Sequence, residues 1–189
     1  MTLKQILKNY EKLYLKKIWI TIFLLGSHLY LFSQQMEYTM KAVAFEKLAL
    51  FITWPKNTIE NNPTTEFTIA VLGQNPFNGI LEEVYKEKNI NEKKVKIIYL
   101  KDIKKLVSCD ILFISGSNID KLPEILSAIK GQPILTVSET EGFIEAGCFI
   151  NFYEFENKLR FEINQKGMTE AGFTIDYRLL RVSKVLNPT

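Results

Sequence analysis

Histidine is almost absent from this sequence, with one residue, His28, among 189. His28 lies in an N-terminal segment that we expect to be removed on export, which leaves the remaining domain without any. Without imidazole, Ser-His-Asp and Cys-His catalysis are excluded and the commonest metal ligand in proteins is missing. The composition therefore argues against an enzyme, and no spacing of other residues predicts a metal site or a cofactor.

Cysteine is nearly as scarce, because Cys109 and Cys148 are the only two. Two thiols allow one intramolecular disulfide, which an oxidising compartment would permit. A domain of about 150 residues buries roughly 70% of its unfolded surface and does not need such a crosslink. A disulfide also requires the two Cα atoms to lie within about 7 Å, so the sequence leaves the Cys109–Cys148 pairing open.

The first 33 residues predict the compartment. A basic segment is followed by an apolar run from Ile18 to Phe32, and a helix of that length, about 22 Å, is shorter than a bilayer core of about 30 Å. With the small Ser33 at its end, this segment predicts a cleaved signal peptide over 1–33 and a periplasmic domain over 34–189. An uncleaved signal anchor is the alternative, because Leu31 is bulkier than the residue usually found three positions before cleavage. The basic residues are Lys4, Lys8, Lys12, Lys16 and Lys17.

An excess of positive charge is also lacking once this segment is set aside. Five of the 24 Lys and Arg residues and one of the 21 Asp and Glu residues lie in it, so 19 basic and 20 acidic residues remain, a net charge of −1. A nucleic-acid-binding protein needs a basic surface to neutralise phosphates. We therefore expect no nucleic-acid partner.

The rest of the sequence alternates between helical and strand patterns. Residues 36–53 have apolar residues at helical spacing, and Pro55 ends this predicted helix. Short apolar runs that are typical of strands covered on both faces follow. These runs are 67–73, 94–100, 110–115 and 133–138, with helical patterns at 77–88 and 119–130. The alternation predicts an α/β fold, a single three-layer domain with a mostly parallel sheet.

The end of the chain has a different pattern. The runs 148–155 and 158–163 are separated by Glu156 and Asn157, which predicts a C-terminal antiparallel hairpin. After Gly172, apolar residues at helical spacing predict a closing helix. These apolar residues are Ile175, Leu179, Val182 and Leu186.

Six motifs, in their order along the chain, resemble those of the YfiR-like family of small periplasmic regulators. They are KAVAFEKLALFITWP, FTIAVLGQNPF, CDILFIS, ILTVSETEGFIEAGCFINF, RFEIN and IDYRLLRVSKVL, and they cover about residues 37–186. The resemblance implies a non-enzymatic protein that acts by protein contact. The best-known members restrain an inner-membrane diguanylate cyclase until an outer-membrane partner relieves the restraint, and others serve sensor histidine kinases. We expect such a chain to be a homodimer.

Two positions depart from the family pattern. Several members have a Cys in the first strand that can pair with the Cys at the start of the third. Here Ala70 occupies the first-strand position, so Cys109 lacks that partner. Cys148 stands where the family has the second Gly of a Gly-Gly signature. A disulfide of the family type is therefore not expected, and pairing of Cys109 with Cys148 stays open.

The stretch SETEGFIEAGCFINF, residues 138–152, is the first candidate site. Carboxylates on a loop without histidine are typical of a solvated surface rather than a reaction centre. Phe143 predicts either a ring that fixes the loop to the core or an anchor for a partner. We predict that this loop contacts a partner, with Trp54 and Arg178 as further candidates, although Trp54 also suits the core and Arg178 a surface ion pair. The loop carboxylates are Glu139, Glu141 and Glu145.

A small-molecule site is the alternative function. Loops 73–79 and 115–118 each lead from a predicted strand into a predicted helix, and in open parallel sheets ligands bind beyond the carboxyl ends of the strands. Ordinary capping of a helix by Ser117 or Asn118 is the competing interpretation. The residues that could line such a crevice are Gly73, Asn75, Ser115, Ser117 and Asn118.

Overall fold

The computed structural model describes residues 16–17, 19–21, 34–55, 66–106 and 108–188. The chain divides into two compact units, Met1–Glu37 and Tyr38–Thr189. The described residues of the first unit are helical, and most of the predicted signal peptide lies outside the described residues. Within the part of the chain that is described, we find no helix both long enough and apolar enough to cross a membrane.

The second unit is built around two sheets. Its strands are β1 (Ile52–Thr53), β2 (Glu66–Leu72), β3 (Asn89–Ile90), β4 (Lys93–Leu100), β5 (Ile111–Ile114), β6 (Leu135–Ser138), β7 (Ile150–Phe155), β8 (Lys158–Asn164), β9 (Thr174–Ile175) and β10 (Lys184–Leu186). Strands β1 and β9 pair with each other, and the other eight form one sheet in the order β10-β8-β7-β6-β5-β2-β4-β3.

Most neighbours in the large sheet are parallel. Strand β2 pairs in parallel with β4 and β5, and the parallel run continues through β6 to β7. Strands β7 and β8 form the predicted antiparallel hairpin, while β3 lies antiparallel to β4. The prediction of a mostly parallel sheet with a C-terminal antiparallel hairpin is confirmed.

Helices cover both faces of this sheet. We call the helical residues 38–51 of this unit α1. The other helices are α2 (Ile80–Tyr85), α3 (Leu122–Ala128), α4 (Gln165–Glu170) and α5 (Tyr177–Leu180), with 3₁₀ turns at Ile103–Lys105 and Gly116–Lys121. Helix α1 ends at residue 51 and not at 53 as predicted, because Ile52 and Thr53 pair with Ile175 and Thr174.

Alternation along the strands creates two cores. In β2, Ile69 and Val71 face a core that also contains Phe45 of α1. Ala70 and Leu72 face the second core, which α3 covers. Because alternate side chains of a strand point to opposite faces, a continuously apolar run is what a sheet buried on both faces requires.

The predicted closing helix is wrong. After Gly172 the chain forms β9, the single turn α5 and then β10, which lies parallel to β8 with Val185 opposite Ile163. The Asp176 carboxylate accepts the Arg178 backbone N–H at 2.8 Å and begins α5, but Val182 is 59% exposed. The free edge of β8 offered backbone hydrogen bonds that outweighed the helical spacing.

The hairpin between β7 and β8 has a tight turn. Glu156 and Asn157 have φ values of 52° and 55°, which are those of a type I′ turn, the type that matches the twist of two paired strands. Asn tolerates positive φ, whereas a long side chain such as Glu is disfavoured there.

We expect Glu156→Asn to raise the free energy of unfolding by about 1 kcal/mol, because Asn relieves the unfavourable backbone conformation at φ 52°. A shift of the urea midpoint would measure it. Glu154→Asn, on the exposed part of β7, is the matched control and should give no gain, since Asn is a poor strand former. Equal changes in the free energy of unfolding for the two variants would contradict a strained conformation of Glu156 in the turn.

Candidate functional site

The carboxyl ends of β2, β5 and β6 meet at one edge of the sheet, which we call the carboxyl edge. From β2 the chain continues to β4 on one side, whereas β5, β6 and β7 add to the other side. Such a reversal of strand order is the place where open α/β sheets usually hold ligands. The loops that leave this edge are 73–79, 115–121 and 139–148.

The first two loops are joined by hydrogen bonds. The Asn118 amide nitrogen donates to the carbonyl of Leu72 at 3.0 Å, and the backbone N–H of Gln74 donates to Ser117 Oγ at 3.0 Å. Ser117 also donates its backbone N–H to Ser115 Oγ, at 3.4 Å, and so begins the 3₁₀ turn. Four of the predicted ligand residues therefore lie together, but Asn118, Ser115 and Ser117 use their polar atoms for capping and bridging.

The fourth residue, Gly73, is required by this network. Its φ is 97°, and a Cβ atom placed on it would lie 2.1 Å from Asn118 Nδ2 and 2.5 Å from Ser117 Oγ. Asn75, the fifth predicted residue, accepts the backbone N–H of Phe77 at 2.9 Å and shapes the turn into α2. Gly73 thus lets the two loops approach each other closely.

A buried ion pair connects the third loop to α1. Lys41, only 4% exposed, donates to Glu139 Oε2 at 2.5 Å, and the Tyr38 hydroxyl donates to Glu139 Oε1 at 3.1 Å. The ammonium of Lys41 also lies 4.5 Å from the centre of the Tyr38 ring, a cation–π contact. Sequence reasoning missed Tyr38 and Lys41, although Lys41 falls on the apolar stripe of α1, four residues before Phe45.

Two further buried polar residues, which sequence reasoning also missed, lie beside this loop. Ser138 donates its hydroxyl to the carbonyl of Ile114 at 2.9 Å and accepts the backbone N–H of Thr140 at 3.3 Å. Asn151 lies opposite Ser138 in the register, and within the described residues its Oδ1 is buried without a hydrogen-bond partner. Polar residues within otherwise apolar strand runs were the signal for both.

The loop 139–148 has a buried side and an exposed side. Phe143 and Ile144 are buried, and the Phe143 carbonyl accepts the backbone N–H of Cys148 at 2.9 Å. Of the two roles predicted for Phe143, the structure therefore shows the ring that fixes the loop to the core and not an exposed anchor. Glu141 and Glu145 are exposed, and we call this pair the acidic rim. A partner that meets this loop meets the acidic rim, not the phenyl ring.

Trp54 and Arg178 lie elsewhere. Trp54 is buried against the rings of Phe67 and Phe173, and its indole N–H donates to the carbonyl of Asp110 at 3.3 Å. It belongs to the core, so it does not offer a surface to a partner.

Arg178 is paired within its own turn. Its guanidinium lies 2.7 Å from the Asp176 carboxylate, an ion pair that holds the pKa of that carboxyl below its usual range. It also lies 4.9 Å from the ring centre of Phe51. Phe51 is ten residues along α1 from Lys41, about 15 Å, so Arg178 does not lie beside the pair of Lys41 and Glu139.

Cys109 and Cys148 are both buried and free. They precede β5 and β7, which are separated by β6, and two strand spacings of about 4.8 Å exceed the Cα separation of a disulfide. The pairing that the sequence left open is therefore not compatible with this sheet. Burial raises the pKa of the Cys148 thiol to about 12 and raises that of Cys109 as well, so both are protonated packing residues.

Comparison with known proteins adds a family and a fold. The sequence profile of the YfiR/HmsC-like family matches residues 38–184. Among solved structures, the ABC domain in complex with L-Trp from Streptococcus pneumonia is similar, with a TM-score of 0.50 and 12% sequence identity. The match covers 64% of this chain and 55% of that one, little more than half its length, and shows a shared fold. No curated protein matches the chain significantly.

The ion pair between Lys41 and Glu139 gives one prediction. Lys41→Met leaves a partly buried carboxylate without its cation and should cost about 2–3 kcal/mol of stability, whereas Lys41→Met combined with Glu139→Gln should cost at least about 1 kcal/mol less than the sum of the single changes. Urea unfolding of the four proteins measures this coupling. The exposed pair Lys96–Glu66, at 3.6 Å, is the control, with an expected coupling below about 0.5 kcal/mol. Additive costs at Lys41 and Glu139 would contradict the buried contact.

Gly73 gives a second prediction. Gly73→Ala should destabilise the protein by about 3 kcal/mol, because the new methyl group collides with Asn118 as well as facing a positive φ. Gly79 has a similar φ of 88° with no atom within 4 Å of an added Cβ, so Gly79→Ala measures the backbone cost alone, about 1 kcal/mol. Thermal unfolding of both variants tests the network, and equal costs would show that the loops are not in contact.

Proposed function

The chain belongs to the YfiR/HmsC-like family, and from this membership we propose that it is an exported regulator that binds the periplasmic part of an inner-membrane signalling enzyme and represses it. Membership implies a periplasmic regulator of cyclic di-GMP signalling. We propose that this enzyme is a diguanylate cyclase or a sensor histidine kinase. The proposal includes a cleaved signal peptide over 1–33, a homodimer and an outer-membrane partner that relieves the repression.

The observation that carries this proposal is the extent of the family match. It spans residues 38–184, which is almost the whole of the second unit, from α1 to β10. The matched region therefore includes the ion pair of Lys41 with Glu139, loops 73–79 and 115–121, and the acidic rim. A regulatory role for the entire unit is supported, rather than for one motif within it.

The acidic rim is the surface that we assign to the partner. In the loop 139–148, Glu139 is held by Lys41 and Tyr38, and Phe143 is buried, so Glu141 and Glu145 remain as exposed charges. Charged residues at the edge of an interface steer association and select partners by complementary charge. We infer that the partner presents basic side chains to this loop.

The mechanism is a shift of populations. A domain that binds one state of an enzyme more tightly than the other moves the enzyme toward that state, by no more than the difference in affinity. The ion pair and the buried Phe143 fix the loop before binding, and a preorganised loop loses less conformational entropy in the complex.

The alternative, a small-molecule site between loops 73–79 and 115–118, receives less support. The polar atoms of Ser115, Ser117 and Asn118 that would contact a ligand there already bond to one another or to the backbone. Replacing those bonds by bonds to a ligand would yield little net free energy.

The proposal is tested in the native cell. Deleting the gene should raise cyclic di-GMP, and the wild-type gene should restore the low level. Glu141→Lys combined with Glu145→Lys should fail to restore it, because reversal of the acidic rim weakens partner binding by about tenfold, or ~1.4 kcal/mol. Mass spectrometry of extracted nucleotide measures the outcome.

The matched control reverses two exposed carboxylates beyond α2, Glu87→Lys with Glu92→Lys, and should restore the low level. An unchanged cyclic di-GMP level after deletion would overturn the assignment to a repressed diguanylate cyclase. Equal failure of the two double variants at equal protein amounts would remove the acidic rim from the proposal.

A further inference from the structure

A cavity of ≈ 310 Å³ opens at the carboxyl edge, on the side of β4. Its apolar lining residues are Leu72, Ile103 and Ile125, and Asn118 is one of its polar lining residues. Its position beyond the ends of β2 and β4 is where open α/β sheets hold ligands. The volume suits a small molecule of a few heavy atoms and lies at the lower end for ligand pockets.

Three lysines line this cavity. Lys101 follows β4, Lys104 lies in the 3₁₀ turn after it, and Lys121 immediately precedes α3. Among the described residues the ion pairs of the second unit involve other side chains, and none of these three lysines has one. Lysines that outnumber the carboxylates around them, and that make no ion pair, raise the local positive potential, which an anion would neutralise.

Two carboxylates line the same cavity, Asp102 and Glu124. The Asp102 carboxylate accepts the backbone N–H of Lys104 at 3.0 Å and so caps the 3₁₀ turn. Glu124 lies exposed in the first turn of α3. The lysines still outnumber the carboxylates, and Glu124 opposes an anion in the cavity, so its removal provides a test in the opposite direction.

We propose that this cavity binds a small multivalent oxyanion, a phosphate or a polycarboxylate, held by Lys101, Lys104 and Lys121. Lysine ammonium groups bind oxyanions as mobile point charges from several directions. A monovalent anion gains little in a water-filled site, because each charge pair there contributes weakly, whereas several charges acting on one ligand add together.

The test uses the purified exported chain, so it does not depend on whether the chain represses an enzyme. Isothermal titration with pyrophosphate and, separately, with citrate at constant ionic strength should show saturable binding to at least one, and acetate should show none. Combining Lys101→Gln, Lys104→Gln and Lys121→Gln should lower the affinity about tenfold or more. Glu124→Gln should raise it.

The control carries the same loss of charge elsewhere, with the exposed residues changed as Lys86→Gln, Lys88→Gln and Lys94→Gln. It should bind as the wild type does, and circular dichroism verifies the fold of each variant. Absence of saturable binding to both probes would overturn the proposal, as would equal losses in the two triple variants. The stronger of the two probes identifies the class of anion.

Discussion

At the ends of strands in a sheet buried on both faces, backbone N–H and C=O groups must find hydrogen-bond partners within the protein, because water does not reach them. This requirement determines which polar residues lie at the carboxyl edge. The carbonyl of Leu72 accepts a hydrogen bond from the Asn118 side-chain amide, and the carbonyl of Ile114 accepts one from the Ser138 hydroxyl. Gly73 is needed because the loop that supplies Asn118 must approach β2 so closely. The polar residues that mark this edge are therefore first of all structural, and function has to use the groups that remain.

The same requirement applies to buried charges, and it explains why Lys41 and Glu139 pair with each other. A lysine that is 4% exposed is unfavourable unless an opposite charge lies beside it. Because Lys41 belongs to α1 and Glu139 to the loop after β6, the pair fixes the loop relative to the helix. This explains how a loop with two glycines can hold the acidic rim in a defined position.

The sequence predicted those parts of the fold in which the spacing of apolar residues matches the faces that are buried. The runs 67–73 and 133–138 became β2 and β6, and Glu156 with Asn157 formed the hairpin turn. It failed after Gly172, where helical spacing competed with the open edge of β8, a partner far away in the chain. At the site, the closeness of Gly73 and Ser117 was predictable because loops after parallel strands converge, and their binding of a ligand stays a prediction. Tyr38 and Lys41 were missed because their contact with Glu139 joins residues about a hundred positions apart.

The carboxyl edge presents two charged surfaces of opposite sign, and their separation decides whether they act together. The acidic rim follows β6 and Lys101 follows β4, with β5 and β2 between them. Three strand spacings put the ends of β6 and β4 roughly 14 Å apart, which exceeds the Debye length of about 8 Å at physiological ionic strength. Direct electrostatic coupling between Lys101 and the acidic rim is therefore weak, whereas Lys121, at the end of the turn after β5, is nearer in strand order. A second route between the proposed anion site and the proposed partner surface runs through the loops, by way of Asn118, which joins the turn after β5 to the end of β2.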